Sequence, residues 1–88
     1  MHESAMMKNL VRQIDDVATR EGAKSVVSIS VWLGALSHFT PEHFVEHFRE
    51  DAKGSLAEGA EVKFEVSNDT QDPKAQDAVL VAVEVSED

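Results

Sequence analysis

The hydrophobic period of this chain changes from 3.6 to 2, back to 3.6 and to 2 again, and that alternation narrows the fold more than any other feature. Met7, Leu10, Val11, Ile14, Val17 and Ala18 recur at i, i+3, i+4 spacing, which predicts an amphipathic helix from about Ser4 to Glu21. Ser4 is its expected N-cap, and Gly22 suits the position after the last turn. Lys8, Arg12, Asp15, Asp16 and Arg20 fall off the apolar stripe. From Lys24 to Leu33 the apolar residues Val27, Ile29, Val31 and Leu33 alternate with Ser28, Ser30 and Trp32, the pattern of a half-buried strand.

A connection from Gly34 to Phe39 follows. Thr40 then caps a second helix with Pro41 at its first position, running to about Lys53 and stopped by Gly54. Phe44, Val45, Phe48 and Ala52 form its buried side. Leu56 to Ala60 leads into a strand from Glu61 to Ser67, with Val62, Phe64 and Val66 on one face. The polar stretch Asn68 to Lys74 reads as a turn or loop. A last strand spans about Asp77 to Val85, with Val79, Val81, Val83 and Val85 on one side.

The order α-β-α-β-β specifies an α+β, two-layer domain in which two helices cover a three-stranded mixed sheet. A helix between the first two strands permits their parallel pairing through a right-handed crossover. The connection between the second and third strands is long for a hairpin, and an antiparallel or mixed arrangement is expected there. The other sheet face would carry Ser28, Ser30, Trp32, Lys63, Glu65, Leu80, Ala82 and Glu84. Two readings stand for its apolar members: Trp32 and Leu80 cover each other across the strands, or they form a partner surface.

Length and charge bound what such a domain does. Residues 1–88 are expected to form a single domain, with apolar residues at 42%, enough for one modest core. A net charge of −9 repels phosphates, so nucleic acid is not an expected partner. The same field gathers cations, within about 10 Å at ordinary salt. The chain has no cysteine, which removes disulfides, thiolate zinc sites and a cysteine nucleophile. No apolar run approaches the roughly 20 residues that span a bilayer, and the start Met-His-Glu-Ser does not read as a secretory signal. A cytoplasmic protein without membrane association is the expectation.

The start of the chain carries chemistry of its own. A free α-amine at Met1, the His2 backbone nitrogen and the His2 imidazole can close two fused chelate rings around one metal ion. This planar, nitrogen-rich set suits Ni(II) or Cu(II), with the fourth position taken by the Glu3 backbone nitrogen or carboxylate. Backbone coordination needs a deprotonated amide, so affinity falls as pH falls. The first N–H groups of a helix have no intrahelical acceptor, so losing a proton there breaks no helix hydrogen bond. The positive end of the helix dipole opposes a bare cation, and anionic amides and Glu3 offset it. His2 is large, so Met1 is expected to be retained.

Other candidates are weaker. His43 and His47 share one helix face at i, i+4 beside Glu46 and Glu50, and either sit solvated or hold Zn(II) or Ni(II). His38, in the preceding loop, can join either arrangement. Adjacent Ser37 and His38 make a poor nucleophile–base pair, no phosphate loop is present, and no constellation points to an enzyme.

Several short segments together resemble the HypA/HybF family. They are Met1-His2-Glu3 before a helix ending Arg20-Glu21-Gly22-Ala23-Lys24, then Trp32-Leu33-Gly34-Ala35-Leu36-Ser37, and then Gly54 to Val62. Their order and spacing match from Met1 to about Val66, and the last strand resembles the family's C-terminal strand. The resemblance implies a fold of two helices and a three-stranded mixed sheet. It implies a nickel metallochaperone in [NiFe]-hydrogenase maturation that is not itself an enzyme, with nickel ligands at Met1, His2 and Glu3. A HypB-like GTPase and the hydrogenase large subunit are its implied partners. Family members insert a zinc ribbon with two Cys-x-x-Cys pairs before the last strand, where this chain has only Ser67 to Gln76 and no cysteine. The expectation is therefore a HypA-like nickel-binding domain without its zinc lobe. The alternative is an interaction module that docks a GTPase partner through the open sheet face without carrying metal.

Overall fold

A computed structural model describes the backbone of residues 2–87 and the side chains of residues 5–87. The elements run α1 (His2–Arg20), β1 (Ser25–Leu33), α2 (Pro41–Asp51), β2 (Glu61–Val66) and β3 (Ala78–Ser86), the expected order. The sheet order is β2-β1-β3, with β1 parallel to β2 and antiparallel to β3. The sheet is mixed, as expected, but its second and third strands do not pair with each other. Both instead flank β1, and the long 67–77 connection carries the chain across to the far edge.

Helix α1 starts two residues before Ser4, which is therefore inside the first turn rather than its N-cap. Met7, Leu10, Val11, Ile14 and Ala18 are buried, with Val17 half-buried, so the 3.6-residue stripe is the core face. The helix ends in a Schellman motif: the Ala23 N–H donates to the Ala18 carbonyl (2.9 Å) and the Gly22 N–H to that of Thr19 (3.1 Å). Gly22 takes φ +69° there, a conformation that favours glycine. Helix α2 starts as predicted, with Thr40 Oγ1 accepting from the His43 N–H at 3.2 Å and Pro41 beginning the helix. It ends at Asp51, two residues short of the expected Lys53.

Aromatic rings join α2 to the sheet. Phe44 meets Phe64 of β2 edge-on at 5.4 Å between centroids and meets Phe39 in the same way at 5.4 Å. Phe48 stacks on Phe44 at 6.2 Å, and Phe39, Phe44 and Phe48 are all buried. Burying rings of this size dominates the energetics of a small core.

Two bulges change which side chains face that core. Pairing between β1 and β3 steps from Val26↔Val85 to Ser28↔Glu84, leaving Val27 as the extra residue. Val26 therefore turns inward, while Val27, expected on the core face, is 46% exposed. A second step, from Ser30↔Ala82 to Val31↔Leu80, leaves Val81 over at 60% exposure. The core face of β3 is Ala78, Leu80, Val83 and Val85, not the expected run of four valines. Trp32 and Leu80 thus do not cover each other: Trp32 lies opposite Val79 and Glu65, and Leu80 packs into the core.

The connections are fastened by name-specific contacts. Asp15 on α1 reaches the 55–60 segment, its Oδ1 accepting the Leu56 N–H at 2.9 Å, while the Leu56 carbonyl accepts the Val26 N–H at 2.8 Å. The 67–77 loop is folded on itself by Asp side chains: Asp69 Oδ1 accepts from the Gln71 N–H (3.0 Å) and Asp72 Oδ1 from the Lys74 N–H (2.8 Å). Its end lies against the exit of β1, with the Gly34 N–H on the Asp77 carbonyl at 2.9 Å and the Leu36 N–H on the Ala75 carbonyl at 2.7 Å. A Cβ at Gly34 would overlap the Ala75 carbonyl and stand 2.6 Å from the Lys74 oxygen.

Two stability changes follow. Gly34→Ala forces backbone apart and is expected to destabilise by about 1–3 kcal/mol or more. Asp15→Ala leaves the Leu56 N–H without its acceptor, for a loss of about 1–3 kcal/mol. Urea unfolding measures both; a Gly34→Ala midpoint equal to that of the unsubstituted protein would contradict the close approach.

Candidate metal centre

The expected nickel ligands lie at the start of α1. Met1 is outside the described residues, as are the side chains of His2 and Glu3. The backbone of His2 and Glu3 is helical, in the first turn, where N–H groups have no acceptor within the helix. Among the described side chains of the helix, Ala5 and Met6 are exposed and Met7, at 1% exposure, is the first set in the core. A helix end of this kind supplies peptide nitrogens whose deprotonation leaves the rest of the hydrogen-bond ladder intact.

A groove of about 720 Å³ lies between α1 and the beginning of β3, from Met6 and Leu10 across to Val79 and Leu80. Arg12, Lys74, Asp16 and Asp77 all line it, so its charges are of both signs, and no imidazole is among its described lining residues. Such a lining does not make a transition-metal pocket.

Two of the remaining histidines lie on α2. His43 and His47 sit one turn apart with ring centroids at 5.5 Å, and Phe39 meets His47 edge-on at 6.2 Å. His38 is exposed in the loop before α2. Among the described residues, no group of three His, Asp or Glu side chains converges on a common point. Ser37 serves its turn, with Oγ accepting the Phe39 N–H at 3.1 Å.

A zinc ribbon of the kind the resemblance implies does not fit this chain. The loop in its place has no thiolate, and the carboxylates of Asp69 and Asp72 are engaged with backbone N–H groups of their own turns. Sequence reasoning missed Asp15, counted among the residues off the apolar stripe, because its acceptor role depends on a segment far along the chain.

Comparison with known proteins places these features. A family model described as hydrogenase/urease nickel incorporation, metallochaperone, hypA, matches residues 1–72. The hydrogenase maturation factor HypA of Thermococcus onnurineus is 42% identical over 64 residues, 73% of this chain and 46% of that protein. Its counterpart in Pyrococcus furiosus is 38% identical over 65 residues, 74% of this chain and 47% of that protein. That of Aquifex aeolicus is 35% identical over 66 residues, 75% of this chain and 57% of that protein. The chain thus spans about half the length of the curated relatives it matches. The fold is also that of the solution structure of the Ni metallochaperone HypA from Helicobacter pylori, with a TM-score of 0.80 over 98% of each chain at 14% identity. No described helix is long and apolar enough to cross a membrane.

Proposed function

The chain belongs to the HypA family, and from that membership we propose that residues 1–88 act as one nickel-carrying domain without a zinc lobe. Ni(II) is its cargo, bound by the Met1 amine, the His2 amide and imidazole nitrogens, and Glu3, for delivery in [NiFe]-hydrogenase maturation. The observation that carries this reading is that the family match begins at residue 1, so Met-His-Glu falls within it, at the start of a helix whose leading amides lack acceptors. No bond of a substrate is made or broken; the domain holds and hands over an ion.

The chemistry of release follows from position. A planar four-donor complex leaves both axial faces of a d⁸ ion open, and a recipient's ligand attacks there before the chelate opens. The proposed ligands precede the buried Met7 in the chain, so exchange at them does not call on that core residue. The acidic surface, at −9 overall, favours approach of the free cation and of a basic partner surface. A HypB-like GTPase and the hydrogenase large subunit are the partners proposed for this exchange, in the cytoplasm.

A second reading, an interaction module that docks a GTPase partner without metal, draws on the open face of the sheet. Trp32 and Val79 are only half-buried there and Val81 is exposed beside them. Removal of residues 1–3 separates the two: a module of that kind keeps its partner, whereas a carrier loses its nickel.

Calorimetric titration of tag-free protein with Ni(II) is expected to give one equivalent that His2→Ala abolishes, with the yellow d–d band of a planar site lost in parallel. Unchanged stoichiometric binding in His2→Ala would refute the carrier reading. Glu3→Pro then identifies the fourth donor. Proline is tolerated in a first helical turn but has no ionisable N–H, so Glu3→Gln with intact binding and Glu3→Pro with a lost planar band assign the Glu3 backbone nitrogen, whereas a band already lost in Glu3→Gln assigns its carboxylate.

A further inference from the structure

The two imidazoles of α2 are not among the ligands proposed for the terminal nickel site, and their geometry suits a ligand pair. Thr40 fixes the start of the helix by accepting the His43 N–H, which places His43 in the first turn and His47 one turn on. Their ring centroids are 5.5 Å apart with planes at 63°. Phe39, itself 4% exposed, meets the His47 ring at 6.2 Å and 70°, limiting how that ring can swing. Among the described residues neither imidazole nitrogen pair has a hydrogen-bond partner. The lone pairs that a metal would use are therefore not committed elsewhere.

The local charge favours a cation. Helix α2 carries Glu42, Glu46, Glu50 and Asp51 against Arg49. Glu50 follows His43 by seven residues and so returns to the same face. Its carboxylate lies 3.1 Å from Lys53 Nζ, an ion pair in which both side chains are mostly exposed (67% and 72%) and which is easily exchanged. The order His43-Phe44-Val45-Glu46-His47 repeats the H-x-x-E-H spacing with which some metalloproteases hold zinc on a helix. No third protein ligand converges on this pair, so hydrolysis is not inferred, only binding.

We propose that His43 and His47 form a second metal site, a bis-imidazole chelate on α2 for a borderline divalent transition-metal ion, with water completing its shell. Two imidazoles one turn apart bind such an ion jointly, since capture by the first holds it at high effective concentration beside the second. With water in the remaining positions, Ni(II) here is six-coordinate and paramagnetic, whereas planar Ni(II) at the terminus is diamagnetic. The two sites are therefore separable by their magnetism as well as by mutation.

The test uses full-length His2→Ala protein and Ni(II) alone, so its result does not depend on the terminal site. Nickel is titrated while amide NMR signals are recorded. The signals around residues 43–47 are expected to broaden first, and adding either His43→Ala or His47→Gln should weaken that broadening at least about tenfold in apparent affinity. His43 is exposed, so its replacement is not expected to disturb folding and serves as the control for His47. Broadening spread evenly over the acidic surface, or unchanged when His43 is replaced, would overturn the proposal.

Discussion

Everything in this domain depends on β1 being hydrogen-bonded along both of its edges. Parallel β2 occupies one side and antiparallel β3 the other, and the pairing is prolonged beyond the strands by Val26 on Leu56, Ser67 on Leu33 and Lys24 on Ser86. The chain closes this arrangement only by crossing from one edge to the other between β2 and β3. That crossing passes directly against the exit of β1, where Gly34 has no side chain to obstruct the Lys74 and Ala75 carbonyls. With the crossing in place, α1 and α2 lie together over a single apolar face. The 67–77 loop makes this crossing with Asp-anchored turns.

Much of this was legible in the residues. The helical stripe from Met7 to Ala18, the Thr40-Pro41 start of α2 and the order of elements follow from period and capping alone. What the alternating pattern did not reveal is where it breaks. Val27 and Val81 look like core residues in a strict period of two, but each is the surplus residue of a bulge, a property of two strands in register rather than of one segment. Leu80 turns inward for the same reason. The strand order was illegible because consecutive strands were not neighbours, and Asp15 because its partner is 41 residues away. The candidate site was legible in the other sense: nothing in the periodicity marks Met1, His2 and Glu3, and they stand out through donor chemistry and family membership.

The division between scaffold and site has a physical logic. A carrier must bind its ion firmly and surrender it to another protein, and these demands conflict when ligands are set in a rigid core. Here the buried rings of Phe39, Phe44 and Phe48 are remote in the chain from the proposed ligands at residues 1–3. Such a site, if it holds the ion, can change its coordination without disturbing that packing. On the open sheet face, Ser28 Oγ donates to Glu84 Oε1 at 2.9 Å beside half-buried Trp32, giving a flat mixed surface separate from the metal chemistry.

The central claim is that the terminal amine is itself a nickel ligand, and blocking that amine tests it most directly. Protein acetylated only at the Met1 nitrogen keeps every side chain and differs by one donor. The account predicts that the planar Ni(II) absorption band and the one-equivalent binding step both vanish on acetylation, while the unfolding midpoint in the absence of metal is retained. A band and stoichiometry unaffected by acetylation would contradict it and place the nickel on other ligands.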